Sequence, residues 1–584
     1  MQEKSQKNFK IYRSSAGSGK TFALVKEYLK ILLLTRSNLY FRHVCAITFT
    51  NKAANEMKKR ILDSLHDFAK HASKGEQKDM ALAILDETKL SEEEFQEKSS
   101  EILQQILHNY SDFRIGTIDK FLYRLIRSYS FELDIPFDSE VETDTEPLID
   151  AAVERLFLQA KEDEVLSNFL YDFIKTNAEF ERSWRIKSQV KEFANNLFKE
   201  ESVLHEKSII IKDLKDFIEL KNDLYKRLKS SENRIKEQAQ KVEAILQEKQ
   251  LSEVDFTGKS GSFIFFPSKL LKNSNQDFTK THQKTFEANE WAHKDSSNGD
   301  IIEGFRAQVS TSIEQILEHL RRKNDIKLIL RNIHNLALYH KLKALINEIK
   351  LEMRILHISE FNEKISLLLQ EEQVSFVYER LGESINHYLI DEFQDTSKLQ
   401  FFSLLPLIEN SLAKAQLNMV VGDAKQSIYR FRNGDMMQFV NLPKIYNPWS
   451  QKLVSSYRIF EEAKDEIPLK NNYRSKTELV EFNNEFYEYL RSLLNPENQK
   501  VFEEHKQIPK KGTGGFVQID VYPSKSRDKP KEQILDKAMI QLKKCLDDGY
   551  QEQDICFLVR SKTQALDIAA RLDEESFEFV TEDS

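Results

Sequence analysis

The sequence predicts an α/β protein: a parallel-sheet domain split by a large helical insertion, followed by part of a second α/β unit. Three features predict it. Over residues 8–130, short apolar runs alternate with helical patterns, the arrangement that builds a parallel sheet covered by helices. From 145 to 350 those runs give way to charged, amphipathic helical sequence. The apolar runs return near 387 and 418, and a fresh set begins after 445.

In order, FKIY (9–12), VCAITF (44–49) and FRIGTI (113–118) are expected as the first strands, each followed by a helix. LKDFIELKNDLYKRLKSSENRIKEQAQKVEAIL (214–246) spaces Leu, Ile and Val at heptad-like intervals, which predicts paired helices with a solvated charged face. GKSGSFIFFPSKLL (258–271) is a glycine-flanked apolar patch, read as a packed loop or short strand. HYLI (387–390) and NMVV (418–421) read as the first sheet resumed. In the last unit GGFVQIDVYP (514–523) and DICFLVRS (554–561) are expected as strands, with a helix over 530–547 between them. The expected organisation is therefore 1–144, first motor-type domain; 145–350, helical insertion; 351–445, first domain resumed; and 446–584, an incomplete second domain.

A chain of 584 residues is too long for one core. With 40% hydrophobic and 31% charged residues it reads as a soluble globular protein, and only 15 Gly and 11 Pro favour long helices. Cys45, Cys545 and Cys556 have neither metal-type spacing nor a disulfide framework, which suits a reducing compartment. The N-terminus carries no signal-peptide pattern and no apolar run reaches bilayer length, so a cytoplasmic protein with no membrane partner is expected. A net charge of −8 argues against a generally basic surface but leaves room for a local basic groove.

The first chemistry-bearing stretch is IYRSSAGSGKT (11–21). A strand runs into Ser14, Ser15, Ala16, Gly17, Ser18 and Gly19, and Lys20 and Thr21 open a helix. Glycines let backbone N–H groups turn inward and cradle phosphates at a helix N-terminus. Lys20 is placed to reach the outer phosphates and the Thr21 hydroxyl to hold Mg²⁺. Ser14 stands where the general pattern has its first glycine. The second stretch is HYLIDEFQDTSKLQ (387–400), where adjacent carboxylates leave a buried strand. Such carboxylates are costly without a cation. Asp391 completes a Mg²⁺ shell beside Thr21, and Glu392 is placed to orient or deprotonate an attacking water. The expected cofactors are ATP and Mg²⁺.

As a set, the motifs resemble superfamily 1 helicases of the UvrD/Rep type, closest to the RecB/AddA recombination-repair branch. SSAGSGKT (14–21), AITFTNKAANEMKKRI (46–61), GTIDKF (116–121), LIDEFQDTSKLQ (389–400), VVGDAKQSIYRFRNGD (420–435) and LKNNYRSKTELVEFNN (469–484) are similar to the family's motifs, in the family's order. The resemblance implies a RecA-like motor domain, an accessory domain at 145–350 and part of a second RecA-like domain. It gives Gln426 a role sensing the γ-phosphate or the water and linking to the DNA groove. It makes Arg474 an arginine finger and Tyr473 a stacking partner for the nucleotide base. It implies an ATP-dependent DNA helicase or translocase, moving 3′ to 5′, that acts on single-stranded DNA or duplex/single-strand junctions in repair or recombination. The candidate protein partner is a second helicase–nuclease subunit.

The DNA-binding candidates are Phe49, Thr50, Asn51, Tyr429, Phe431 and Arg432, aromatics for sequence-independent stacking and polar groups for phosphates. For Phe49, core packing is an equal alternative. In SIYRFR (427–432), Tyr429 and Phe431 alternate with Arg430 and Arg432, which separates an aromatic from a basic face. Asp119 stands where many relatives carry His, which puts its DNA contact in doubt. Two further motifs of the family's second motor domain are not found, nor is a nuclease domain. An N-terminal portion of a longer polypeptide, with weak or absent unwinding of its own, is therefore expected. Two rivals remain: an ATP-gated DNA-binding fragment without turnover, and a P-loop kinase or NTPase of another class.

Overall fold

The computed structural model describes residues 7–70, 74–128, 139–142, 144–200, 213–357, 385–446, 451–522 and 529–581, with the single positions 202, 209, 360 and 364. Strands are numbered in chain order: β1 (Phe9–Arg13), β2 (Val44–Thr48), β3 (Ile115–Thr117), β4 (Glu140–Glu142), β5 (Ile355–His357), β6 (His387–Ile390), β7 (Asn418–Gly422), β8 (Lys464–Pro468), β9 (Asn471–Asn472) and β10 (Ile508–Pro509). One six-stranded sheet runs β3-β2-β6-β7-β1-β8, with parallel pairing throughout. β2, β6 and β7 are buried at every position, which is why they read as unbroken apolar runs rather than alternations.

Helices cover both faces. On one face the helices Lys20–Leu34 and Asn51–Ala69 pack Leu24, Tyr28, Met57, Ile61 and Leu65 against β2, β6 and β7. On the other, the helix Lys398–Ala413 buries Phe401, Phe402, Leu404 and Leu405 with Leu122 of the helix Ile118–Ser128. Parallel pairing sets the C-terminal ends of β1, β6 and β7 side by side, so the loops leaving them meet. The five expected strands are all present. The sixth, β8, lies beyond residue 445, where the first domain was expected to end, and pairs with β1. It is charged and half exposed, an edge strand without an apolar run to reveal it.

β4 and β5 pair with each other and bring the two ends of the helical insertion together. Within it the long helices Leu214–Glu248 and Gly299–Ala337 run against one another, as the heptad-like spacing predicts. The patch at 258–271 forms short helical turns with Phe263, Ile264 and Phe266 buried, not a strand. Its apolar residues are consecutive, so only a turning backbone can bury them all on one side.

The C-terminal unit departs further from expectation. The helix Lys529–Asp547 forms as predicted and packs Met539 and Leu542 on Leu572. The segments 514–523 and 554–561 are not strands among the described residues. Phe516, Ile519, Val521 and Leu558 are 69%, 69%, 82% and 95% exposed. A strand requires a neighbour to take its backbone hydrogen bonds, and these segments have none among the described residues.

Candidate nucleotide and nucleic-acid site

The loop after β1 is tied to the sheet before it turns. The Gly422 carbonyl at the end of β7 accepts from both the N–H (3.1 Å) and the hydroxyl of Ser14. Ser18 folds back, its N–H to the Ser15 carbonyl at 3.2 Å and its hydroxyl accepting from the Ser15 N–H at 3.3 Å. Gly17 and Gly19 hold φ of 76° and 86°, left-handed values that favour glycine. Gly19 caps the helix that begins at Lys20, so the loop delivers its N–H groups to a helix N-terminus. Thr21 sits in that helix's first turn.

The acidic motif meets this loop. Asp391 is buried, its N–H bound to the Ile47 carbonyl of β2 at 2.8 Å and its Oδ1 accepting from the Glu392 N–H at 2.9 Å. Burial, with Glu392 beside it and against the pull of Lys20, pushes Asp391 up to about 6. A carboxylate so placed fits a cation partner. Glu392 adopts a left-handed φ of 48°, an uncommon conformation for a non-glycine residue and a mark of functional loops.

Five side chains then close a ring. Lys20 Nζ donates to both Glu392 oxygens at 2.8 Å and to Gln426 Oε1 at 3.4 Å. Gln394 Nε2 donates to Glu392 Oε2 at 2.6 Å, while Gln394 Oε1 accepts from the Asp423 N–H at 2.9 Å. Gln426 Nε2 donates to Asp423 Oδ2 at 2.7 Å, completing the circuit. Gly422 admits this ring, since a Cβ there would stand 2.6 Å from Gln394 Oε1. Gln394 and Asp423 were not among the predicted site residues. A carboxamide between Glu392 and Asp395 was the available signal, but its bridging role exists only once β6 and β7 lie side by side.

The NNYRS segment docks on the same loop. The Tyr473 N–H donates to the Gly17 carbonyl at 2.9 Å, and Asn472 Nδ2 and Gln507 Nε2 both reach the Ala16 carbonyl, at 3.1 and 3.0 Å. Arg474 lies so near that a Cβ on Gly17 would stand 2.7 Å from its own Cβ. The Tyr473 ring is 59% exposed. Asn472 and Gln507 are further residues that sequence reasoning missed.

The predicted nucleic-acid residues also assemble. Phe49 is half-buried, not core, and its ring centroid lies 4.2 Å from that of Tyr429, which is 5.9 Å from that of Phe431. Arg432 lies over both Tyr429 (5.7 Å) and Phe431 (5.8 Å). The aromatic and basic faces expected from SIYRFR are thus not separated. Residues Arg430–Arg432 form a 3-10 turn, so side chains follow a three-residue period rather than the two-residue alternation of a strand. Asn51 is exposed, whereas the Thr50 hydroxyl caps its helix by accepting from the Ala53 N–H at 3.1 Å.

Behind this face runs a second polar network. Asp395 Oδ1 accepts from the N–H groups of Ile428 and Tyr429 at 3.2 and 3.4 Å, anchoring the aromatic turn. Asp119 accepts from Gln400 Nε2 at 3.1 Å, and burial raises its pKa against that amide and Arg432. From the insertion, buried Glu200 accepts from the Ser397 hydroxyl at 2.5 Å. Neither Gln400 nor Glu200 was singled out from sequence.

A parallel sheet whose adjacent strand ends present a glycine–lysine loop, an Asp-Glu pair and a glutamine is the frame of a RecA-like P-loop protein with a helical insertion. The UvrD/REP helicase N-terminal domain matches residues 2–447 and the UvrD-like helicase C-terminal domain matches 467–584. The chain belongs to the UvrD/REP helicase family. It is similar to an ATP-dependent helicase/nuclease subunit of Clostridium perfringens, 26% identical over 527 residues, covering 82% of this chain and 37% of that one. The protein of the same name from Listeria monocytogenes is 24% identical over 540 residues, covering 82% of this chain and 38% of that one. The RecBCD enzyme subunit RecB of Haemophilus influenzae is 23% identical over 538 residues, covering 84% and 40%. The chain spans about two fifths of the length of these curated relatives. No helix of the described residues is long and apolar enough to cross a membrane.

Proposed function

We propose that this chain carries the nucleotide-driven motor of a DNA helicase or translocase, acting on single-stranded DNA or duplex/single-strand junctions. The ring of Lys20, Glu392, Gln394, Asp423 and Gln426 carries the reading. It joins three motif segments at one strand edge. ATP with Mg²⁺ supplies the phosphoryl group for transfer to water and the neutralisation of its charge. Backbone N–H groups of 17–20 and the Lys20 ammonium bind the phosphates, and Thr21 and Asp391 hold the cation.

Lys20 cannot serve Glu392 and a phosphate with the same three protons equally well. Its turn toward the phosphates releases Glu392, which Gln394 keeps aimed. Glu392 then orients the water and takes its proton. Gln426 connects that site through one turn of chain to Tyr429 and Arg432, and Arg474 offsets transition-state charge from the neighbouring unit. Tyr473 lies open for a base to stack on it. The cluster of Phe49, Tyr429, Phe431 and Arg432 stacks single-stranded bases without reading sequence.

The names of the similar proteins, RecB and the helicase/nuclease subunits, support a repair or recombination setting, a partner protein in a multisubunit complex, and a soluble cytoplasmic location. A second reading, ATP-gated DNA binding without autonomous unwinding, draws support from the exposed segments at 514–522 and 554–561. ATP hydrolysis with and without single-stranded DNA, beside Glu392→Gln, decides between them. DNA-stimulated turnover that the variant loses supports the motor. Binding of both ligands without turnover supports the second reading, and turnover indifferent to DNA rejects both.

A further inference from the structure

At the far edge of the sheet, β3 pairs only with β2 among the described residues. A cavity of about 790 Å³ opens beside it. Its lining includes Lys58, Arg114, Lys120, Arg124 and Arg127, with Asp112 as the one acid among the described lining residues. Asp112 is already engaged by Arg42 at 2.9 Å. Arg127 serves the fold, donating to the Tyr123 hydroxyl and the Ser139 carbonyl, both at 2.8 Å.

Lys58 is in a different position. Its ammonium lies 5.2 Å from the Tyr110 ring centroid, and burial, with Lys120 and Arg124 nearby, lowers its pKa. Its surroundings therefore make a positive charge harder to hold, a cost that an anion relieves. The cations stand on separate elements, the helices Asn51–Ala69 and Ile118–Ser128 and the loop before β3. Donors for one small phosphate converge on a point, as they do at Gly17–Lys20. Donors spread along a wall suit a linear polyanion. The cavity also adjoins the aromatic cluster, because Lys120 follows Asp119, which lies in the field of Arg432.

We propose that this cavity is a phosphate station for the nucleic-acid strand beyond the aromatic cluster, with Lys58, Lys120 and Arg124 holding its sugar-phosphate backbone along the β3 edge. The proposal rests on the nucleic-acid reading of Phe49, Tyr429 and Phe431.

Fluorescence anisotropy with labelled oligothymidylates of about 8 and about 20 nucleotides tests it, since a site of the first length fills only one fold's groove. Wild-type protein is expected to bind the longer oligomer more tightly and with a steeper salt dependence. In Lys58→Ala/Lys120→Ala/Arg124→Ala that gain should vanish, with about tenfold weaker binding of the longer oligomer and a log–log salt slope shallower by about 2. Binding of the shorter oligomer should hold. Wild-type behaviour of the variant, or an equal loss at both lengths, overturns the proposal.

Lysine acylation of wild-type protein gives a readout independent of the variant's folding. Protection of Lys58 and Lys120 by the longer oligomer alone supports the station. Protection by the shorter one, or equal protection by inorganic tripolyphosphate, assigns the cavity to something other than a strand and overturns it. A wild-type protein that binds neither oligomer overturns the nucleic-acid reading and the station together, whereas binding without Lys58 protection overturns only the station.

Discussion

NMVVG in β7 and FVQIDV at 516–521 are alike in composition and opposite in outcome. β7 lies between β6 and β1 and is buried at every position. The later segment is extended, has no ladder among the described residues, and leaves Phe516, Ile519 and Val521 mostly in solvent. Apolar, β-branched sequence therefore confers a tendency, and a partner on each side turns it into structure. The same contrast separates the two halves of the candidate site. The phosphate loop, the Asp-Glu pair and Gln426 are fixed by a completed sheet, while Tyr473 and Arg474 ride on a unit whose own extended segments are exposed.

Hydrogen exchange would break or sustain this comparison most directly. Amides of β1 and β7 should exchange only through large openings, slower than those of 516–521 by at least about 10⁴-fold, given ordinary domain stability. Equal protection in the two segments would mean that the C-terminal segments find partners in solution.

Nucleotide binding sharpens the contrast next. Lys20→Ala removes a charge-assisted donor from the completed half and should weaken ATP binding about 10³-fold by equilibrium titration. Phe516→Ser, at a position 69% exposed, should change neither affinity nor stability by more than about 0.5 kcal/mol. A large effect at Phe516 would show that the two halves are energetically one.

Glu27 tests how firmly the first half is built. It lies buried behind the phosphate loop, with Lys10 at 2.6 Å, Lys30 at 3.2 Å and the Tyr12 hydroxyl donating at 3.0 Å. Burial opposes its ionisation, but these partners outweigh burial and hold the carboxyl below the ordinary range. A depressed carboxyl stabilises the fold above its unfolded pKa, and that contribution is lost as pH falls through the native one. Glu27→Gln should therefore cost about 3 kcal/mol at neutral pH. The deficit should shrink as pH drops below the usual carboxylate range near about 4. A deficit independent of pH would mean that packing, not charge, is at stake.

What was legible in the sequence divides along the same line. Strands buried on both faces announce themselves as apolar runs, and a glycine–lysine loop or an Asp-Glu pair declares its chemistry by residue type alone. β8 was hidden because an edge strand tolerates Lys464, Asp465 and Glu466. Gln394, Asp423 and Gln507 were hidden because a carboxamide or a lone carboxylate acquires its role only from what tertiary structure sets beside it. Arg432 was misplaced relative to the rings because the backbone turns where an extended strand was assumed.

Glu200 is the smallest and most pointed case, since it joins the insertion to the completed half. Its carboxylate is 5% exposed and accepts from the Ser397 hydroxyl and, at 3.4 Å, from the Leu399 N–H. It thus sits at the N-terminus of the helix Lys398–Ala413, where negative charge meets unpaired N–H groups and the helix dipole. Ser397 also accepts from the Gln400 N–H at 3.1 Å, so Glu200 fixes the rotor of the capping hydroxyl. Gln400 in turn holds Asp119. Glu200→Ala removes the acceptor but leaves the capping box of Ser397 and Gln400 in place, which limits the cost to about 2 kcal/mol. Glu200→Gln keeps a carbonyl to accept from Ser397 and should cost about half as much. Faster exchange confined to the first turn of 398–413 in Glu200→Ala would show the insertion bracing the helix behind the acidic motif. Unchanged exchange there, with normal melting, would mean that the insertion and the sheet are held together by apolar packing alone and that the buried carboxylate transmits nothing between them.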